Sequence, residues 1–123
     1  IFIGHQIALK ERLTPVENLN WLSPIGLSQD SINRALDLVG LRDFETAPSW
    51  SLSAGQKRRV ALARLIVSNA KIWFLDEPFT AIDTQGIGLM RQLIDDHVSK
   101  GGAVVFSTHQ SVDMKNVRRY SLK

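Results

Sequence analysis

The sequence predicts an α/β fold in which a parallel sheet is interrupted by a helical insertion. Three observations lead there. Two short apolar runs, Ile72-Trp73-Phe74-Leu75 and Ala103-Val104-Val105-Phe106, flank a stretch of helical periodicity. That is the pattern of a parallel βαβ unit, whose crossover is expected to be right-handed. A third sheet-like run, Ile1-Phe2-Ile3, lies at the opposite end of the chain, and residues 13–68 between them read as helices.

Taken in order, Ile1-Phe2-Ile3 reads as the end of a strand closed by Gly4. Thr14, Pro15 and Glu17 then form a capping box with proline at the first helical position, so a helix is expected to run to about Leu22 and stop before Pro24. A second helix is expected over 30–39, with Ile32, Ala35, Leu36 and Val39 on one face and Gly40 as its stop. A loop carrying Pro48 and Trp50 follows. Ser53 and Gln56 make a second capping box, opening a helix to about Ser68 whose apolar face holds Val60, Ala63, Leu65, Ile66 and Val67. The runs 72–75 and 103–106 read as strands buried on both faces. Leu89, Met90, Leu93, Ile94 and His97 mark an amphipathic helix between them, ended by Gly101-Gly102. Residues 118–123 are expected to add a short edge strand. The expected organisation is core strand and following loop at 1–12, helical subdomain at 13–68, and α/β core at 69–123.

Composition narrows the class. The 123 residues suffice for one modest domain, and 44% apolar content is ordinary for a chain with a buried core. The opening inside a strand, without an initiator Met, leads us to expect that an N-terminal portion is missing. A net charge of +3 is small, and its one cluster, Lys57-Arg58-Arg59, lies inside a helical pattern, so nucleic acid is not expected as a partner. The absence of cysteine excludes disulfides and thiolate metal sites. No apolar run approaches the ~18 residues of a membrane span.

The chemistry gathers at strand ends. In a parallel sheet, ligands bind beyond the carboxyl ends of the strands. There the sequence places Gln6 after the first strand, Asp76 and Glu77 on the second, and His109 after the third. An apolar run ending in two carboxylates suits a hydrated magnesium ion and an activated water: Asp76 would hold the ion and Glu77 would polarise the water. Pro78 stops the strand and keeps both in the turn. Ser53, Ala54 and Gly55 present backbone N–H groups at a helix N-terminus, an anion site if a phosphate is there and otherwise a cap. His5 reads as a loop residue and His97 as part of an apolar helix face.

Taken together these motifs resemble the ABC ATPase family of P-loop NTPases. LSAGQKRRVALARL resembles the family signature and its helix, IWFLDEP the Walker B strand with the catalytic glutamate, TAID the D-loop, STH the switch histidine, and IFIGHQ the Q-loop. All five fall in family order. The resemblance implies ATP and Mg²⁺ as cofactors, Asp76 and Gln6 at the metal, Glu77 as catalytic base and His109 at the γ-phosphate. It implies that Ser53, Ala54, Gly55 and Gln56 contact ATP bound on a second copy in a head-to-tail dimer, with Asp83 reaching across the same interface. As a cap, Asp83 would simply start the next helix.

Within the family, GHQIALKERLTPVENL, the LSAGQ variant and DEPFTAID resemble the ATP-binding subunits of bacterial haem exporters of cytochrome c maturation. That implies a peripheral position on the cytoplasmic face of the inner membrane, membrane-spanning partner subunits, and ATP hydrolysis that drives release of a haem-loaded chaperone. The alternatives are the ATPase of another small bacterial exporter, the C-terminal lobe of a DNA-repair or chromosome-maintenance ATPase, and a non-catalytic module offering only its signature face. Heptad arms, the mark of the DNA-repair class, are absent. Two departures stand out: Ala54 replaces the commoner glycine of the signature, and no GxxxxGK[ST] phosphate loop occurs. The fold expected is thus a partial ABC ATPase core, and the 123 residues alone are expected to be inactive.

Overall fold

The computed structural model describes residues 1–22 and 25–121. Three parallel strands, β1 (Phe2–Ile3), β2 (Ile72–Asp76) and β3 (Ala103–Ser107), lie in the order β1-β2-β3. Phe2 pairs with Phe74, and Asp76 at the end of β2 pairs with Ser107 at the end of β3. The link from β1 to β2 contains α1 (Pro15–Trp21), α2 (Gln29–Leu38) and α3 (Ala54–Val67), and α4 (Thr84–Ser99) joins β2 to β3.

Local chemistry explains each helix start. The Thr14 hydroxyl accepts from the Glu17 N–H at 3.2 Å while the Glu17 carboxylate accepts from the Thr14 N–H at 2.8 Å, and Pro15 pre-sets the first turn. Ser53 and Gln56 repeat that exchange at α3, at 3.2 and 2.8 Å. Ser28 caps α2, which begins and ends one residue before the expected 30–39, and Asp83 caps α4 through the Gly86 N–H at 2.8 Å. Pro24, expected to stop α1, lies outside the described residues; the helix ends at Trp21. The loop expected after α2 contains two single 3-10 turns, Arg42–Phe44 and Ser49–Ser51.

Leu19, Ile32, Leu36, Leu62 and Leu65 of α1–α3 form one core with Trp73 and Leu75 of β2 and Met90 and Ile94 of α4. A buried amide supports it. Asn18 donates to the carbonyls of Lys10, Leu13 and Thr14 and to the Ser49 hydroxyl, and accepts from the Lys10 N–H at 2.9 Å. This ties the segment before α1 to the turn before α3. His97 stacks on Trp73 with ring centroids 3.8 Å apart, and Gly102 is required beneath it, since a β-carbon there would overlap the imidazole. The apolar-face reading of His97 thus becomes a packing contact.

Two expectations are corrected. Neither β2 nor β3 is buried on both faces. Trp73 and Leu75 point into the core, but Phe74 on the other face is 47% exposed and Val105 of β3 56%. The described helices cover one face of the sheet, so in these residues the strands alternate as half-covered strands do. The edge strand expected over 118–123 is also missing: residues 118–121 form no strand, and 122–123 lie outside the described residues.

Candidate functional site

β2 ends in Asp76, and the next residue, Glu77, leaves the sheet with a backbone φ of +50°. A residue with a β-carbon takes that left-handed conformation only where its surroundings hold it. They do so here. The Glu77 N–H donates to the Ser107 carbonyl at 3.1 Å, and the Glu77 carbonyl accepts from the Thr80 N–H at 3.1 Å and the Arg58 guanidinium at 2.8 Å. Pro78 and Phe79 are buried behind the turn, where Phe79 meets Phe106 edge to face at 5.8 Å.

The two carboxylates are treated differently. Asp76 accepts from the Ser107 hydroxyl at 2.6 Å, its register partner across the ladder. That bond foremost, then the His5 N–H and the nearby Arg58 charge, hold its carboxyl below the usual range despite partial desolvation. Asp76 is therefore an ionised, hard oxygen donor. The Glu77 side chain is 15% exposed and both its oxygens are engaged, one with the His109 N–H at 3.0 Å and the other with the Thr80 hydroxyl at 3.2 Å. His109 is 98% exposed at the side chain, with Nε2 3.4 Å from Glu77. An acidic group fixed from two sides beside an exposed imidazole suits orientation of a water and contact with an anion.

Asp76, Glu77 and His109 are thus brought together. Gln6 follows β1 in an exposed bend and makes no side-chain hydrogen bond among the described residues. Ser53, Ala54, Gly55 and Gln56 form a second cluster at the start of α3, with no hydrogen bond to the first. The capping box consumes the N–H groups of Ser53 and Gln56, leaving those of Ala54 and Gly55 for an anion. Asp83 is the N-cap of α4 and pairs with Arg59 at 3.2 Å; the Gly86 N–H and the Arg59 charge hold its carboxyl below the usual range against desolvation. Both halves of the Asp83 expectation remain compatible with that position.

Four contributors escaped the sequence reading: His5, Arg58, Thr80 and Ser107. Thr80 and Ser107 stand in the TAID and STH motifs without an assigned role, and pairing the two apolar runs end to end sets Ser107 opposite Asp76. Among the described residues no group of three His, Cys, Asp or Glu side chains could enclose a metal ion, and no helix is long and apolar enough to cross a membrane.

A parallel sheet with an acidic turn after its central strand, and a capped helix start with free N–H groups, together fit one class of protein. The chain belongs to the ABC transporter family, whose profile matches residues 2–80. Gln6, Ser53–Gln56, Asp76 and Glu77 fall inside the match, and Asp83 and His109 outside it. More particularly, the chain is 50% identical over 117 residues to the cytochrome c biogenesis ATP-binding export protein CcmA of Pseudomonas syringae pv. syringae, covering 92% of this chain and 54% of the relative. The protein of that name from Pasteurella multocida is 41% identical, covering all of this chain and 59% of the relative. The chain spans about half the length of the curated relatives it matches. Among solved structures it superposes on the ATP-binding cassette MJ0796, a dimer in a post-hydrolysis state with ADP and Pi, with a TM-score of 0.75 and 28% identity over 89% of this chain and 51% of the other. A putative ABC transporter ATP-binding protein from Pyrococcus furiosus superposes at 0.76 with 24% identity, covering 90% of this chain and 57% of that one, which supports the fold alone.

Proposed function

We propose that this chain forms the signature and hydrolytic part of an ATP-binding subunit that drives haem export or haem-chaperone release in cytochrome c biogenesis. The observation that carries the hydrolytic reading is the Glu77 carboxylate, held by the His109 N–H and the Thr80 hydroxyl beside an ionised Asp76. The export reading is supported by relatives up to 50% identical whose name is cytochrome c biogenesis ATP-binding export protein. The division into a core at 1–12 and 69–123 and a helical subdomain at 13–68 belongs to the same proposal.

Each residue has a part in this reading. Glu77 accepts the proton of the attacking water, and its two hydrogen bonds aim the carboxylate. His109 meets the terminal phosphate. The free N–H groups of Ala54 and Gly55, with Ser53 and Gln56 around them, receive the phosphate of ATP held by a second copy, and Asp83 stands at that interface. Gln6, in the bend beyond β1, completes the edge of the site toward membrane-spanning partner subunits at the cytoplasmic face. The donor set fits magnesium held mainly by phosphate and water: such an ion takes one or two protein carboxylates, Asp76 would supply one, Gln6 stands at the same strand-end edge, and no enclosing cage exists among the described residues. Bound there, the ion would neutralise phosphate charge. Because the sequence lacks GxxxxGK[ST], these 123 residues by themselves are inactive in this reading.

The test is Mg²⁺-dependent ATP hydrolysis by the full-length protein, with and without its membrane subunits, beside the Glu77→Gln variant. Hydrolysis lost in the variant supports the proposal. Equal rates in both would remove Glu77 from the chemistry.

A further inference from the structure

We infer that Arg58 is a positioning residue for Glu77, holding the catalytic turn from within α3. The inference rests on the reading of Glu77 as the base. Arg58 is only 5% exposed, and a buried cation needs compensation. Its partners are backbone carbonyls at two strand ends: Glu77 at 2.8 Å after β2, and Gly4 and His5 at 3.5 Å each after β1. The short contact falls on the residue whose backbone is left-handed, and whose side chain is aimed by that backbone.

The geometry explains why an arginine is suited to this place. A fork of several N–H donors spans acceptors on two separate turns, while an ammonium offers a point charge that settles on one. Arg58 lies five residues beyond the Ser53 cap, so the helix that starts the anion-binding cluster also grips the turn that carries the base. Nearby, Asp76 provides the opposing charge, and burial itself lowers the pKa of Arg58. If the role were packing alone, replacing Arg58 would lower stability and leave turnover per folded molecule intact. If it positions Glu77, turnover falls while ATP affinity stays, because Arg58 faces carbonyls and no anion site.

The experiment measures kcat and KM for ATP and the melting temperature of the full-length protein carrying Arg58→Met or Arg58→Lys, with Glu77→Gln as reference. We expect kcat to fall about tenfold with Met and about threefold with Lys, with KM within about twofold of wild type. If the Met variant does not fold, the Lys variant decides alone: a threefold loss at an unchanged melting temperature supports the role. Wild-type kcat in Arg58→Lys, or a loss confined to KM, overturns it. Wild-type turnover in Glu77→Gln overturns the base assignment and this role with it. Loss in Glu77→Gln beside unaffected Arg58 variants overturns the positioning role alone.

Discussion

Replacing Glu77 with glutamine separates charge from shape. The amide keeps the length of the side chain, its oxygen can still accept from the His109 N–H at 3.0 Å, and its nitrogen can donate to the Thr80 hydroxyl at 3.2 Å. What is lost is charge assistance in two hydrogen bonds, worth roughly 0.5 kcal/mol each for a side chain so little exposed. The expected stability cost is about 1 kcal/mol, a melting shift of roughly 2–4 °C for a full-length protein about twice the length of this chain. Turnover should respond far more. A positioned general base contributes about 10²–10⁴-fold, or about 2.7–5.4 kcal/mol at 1.36 kcal/mol per decade. Steady-state ATPase assays, calorimetric melting and sizing chromatography with ATP on the full-length variant should therefore show a native-like protein that binds ATP, accumulates as dimer and barely hydrolyses. Glu77→Asp adds a control, since it keeps the charge but withdraws the carboxylate from both partners. Wild-type turnover in Glu77→Gln would refute the reasoning, and so would a melting loss large enough to account for the rate.

His109→Ala is expected to reduce hydrolysis at least tenfold while moving the melting temperature by no more than about 2 °C, because the side chain is almost fully exposed; the reverse pattern in paired assays would place it structurally. Asn18→Ala should cost about 1–3 kcal/mol in urea denaturation, since it leaves the Lys10 N–H and the Ser49 hydroxyl without the amide and removes the second donor from the Lys10, Leu13 and Thr14 carbonyls, whereas a loss under 1 kcal/mol would mean that water replaces the amide. For Asp83, the folded carboxyl titrates below its unfolded value of 3.8, so its contribution is complete above that pH and disappears as pH falls through the folded pKa. The melting difference between wild type and Asp83→Asn should accordingly be flat above about pH 5 and shrink below about pH 4; a difference that grows on acidification would reverse the assigned sign.

The readable parts of this molecule were those decided by neighbours in sequence. Both capping boxes, Thr14 with Glu17 and Ser53 with Gln56, formed with their reciprocal bonds because each needs only residues three apart. Asp76, Glu77 and His109 were legible because residues that end parallel strands share one edge. Burial of the strands depends on what packs on each face: in this chain, about half the length of its relatives, the helices cover Trp73 and Leu75 and leave Phe74 and Val105 facing outward, which an apolar run alone does not announce. Arg58 was hidden for a similar reason. Three cations stand in a row, and nothing local says that the middle one turns inward while Lys57 pairs with Glu11 at 2.8 Å and Arg59 with Asp83.

That difference in direction follows from helix geometry. Successive residues project about 100° apart, so adjacent arginines on α3 serve different neighbours. Arg58 reaches the turns after β1 and β2. Arg59 donates to the Val39 carbonyl at the end of α2 at 2.9 Å, to Asp83 at 3.2 Å, and to Gln85 in the first turn of α4 at 3.1 Å. Gly40, with a φ of +71°, leaves Arg59 the room it needs, since a β-carbon there would stand 3.0 Å from the guanidinium. One helix therefore holds, within two residues, the Glu77 turn on one side and the start of α4 on the other. The N–H groups left open at Ala54 and Gly55 belong to that same rigid element. A displacement of α3 along its axis would strain the Arg58 bond to the Glu77 carbonyl and the Arg59 bonds to the Val39 carbonyl and the Asp83 carboxylate at once. If Arg58 positions Glu77 from within α3, its variants lose kcat while KM stays near the wild-type value, and that split is what separates a positioning role from packing.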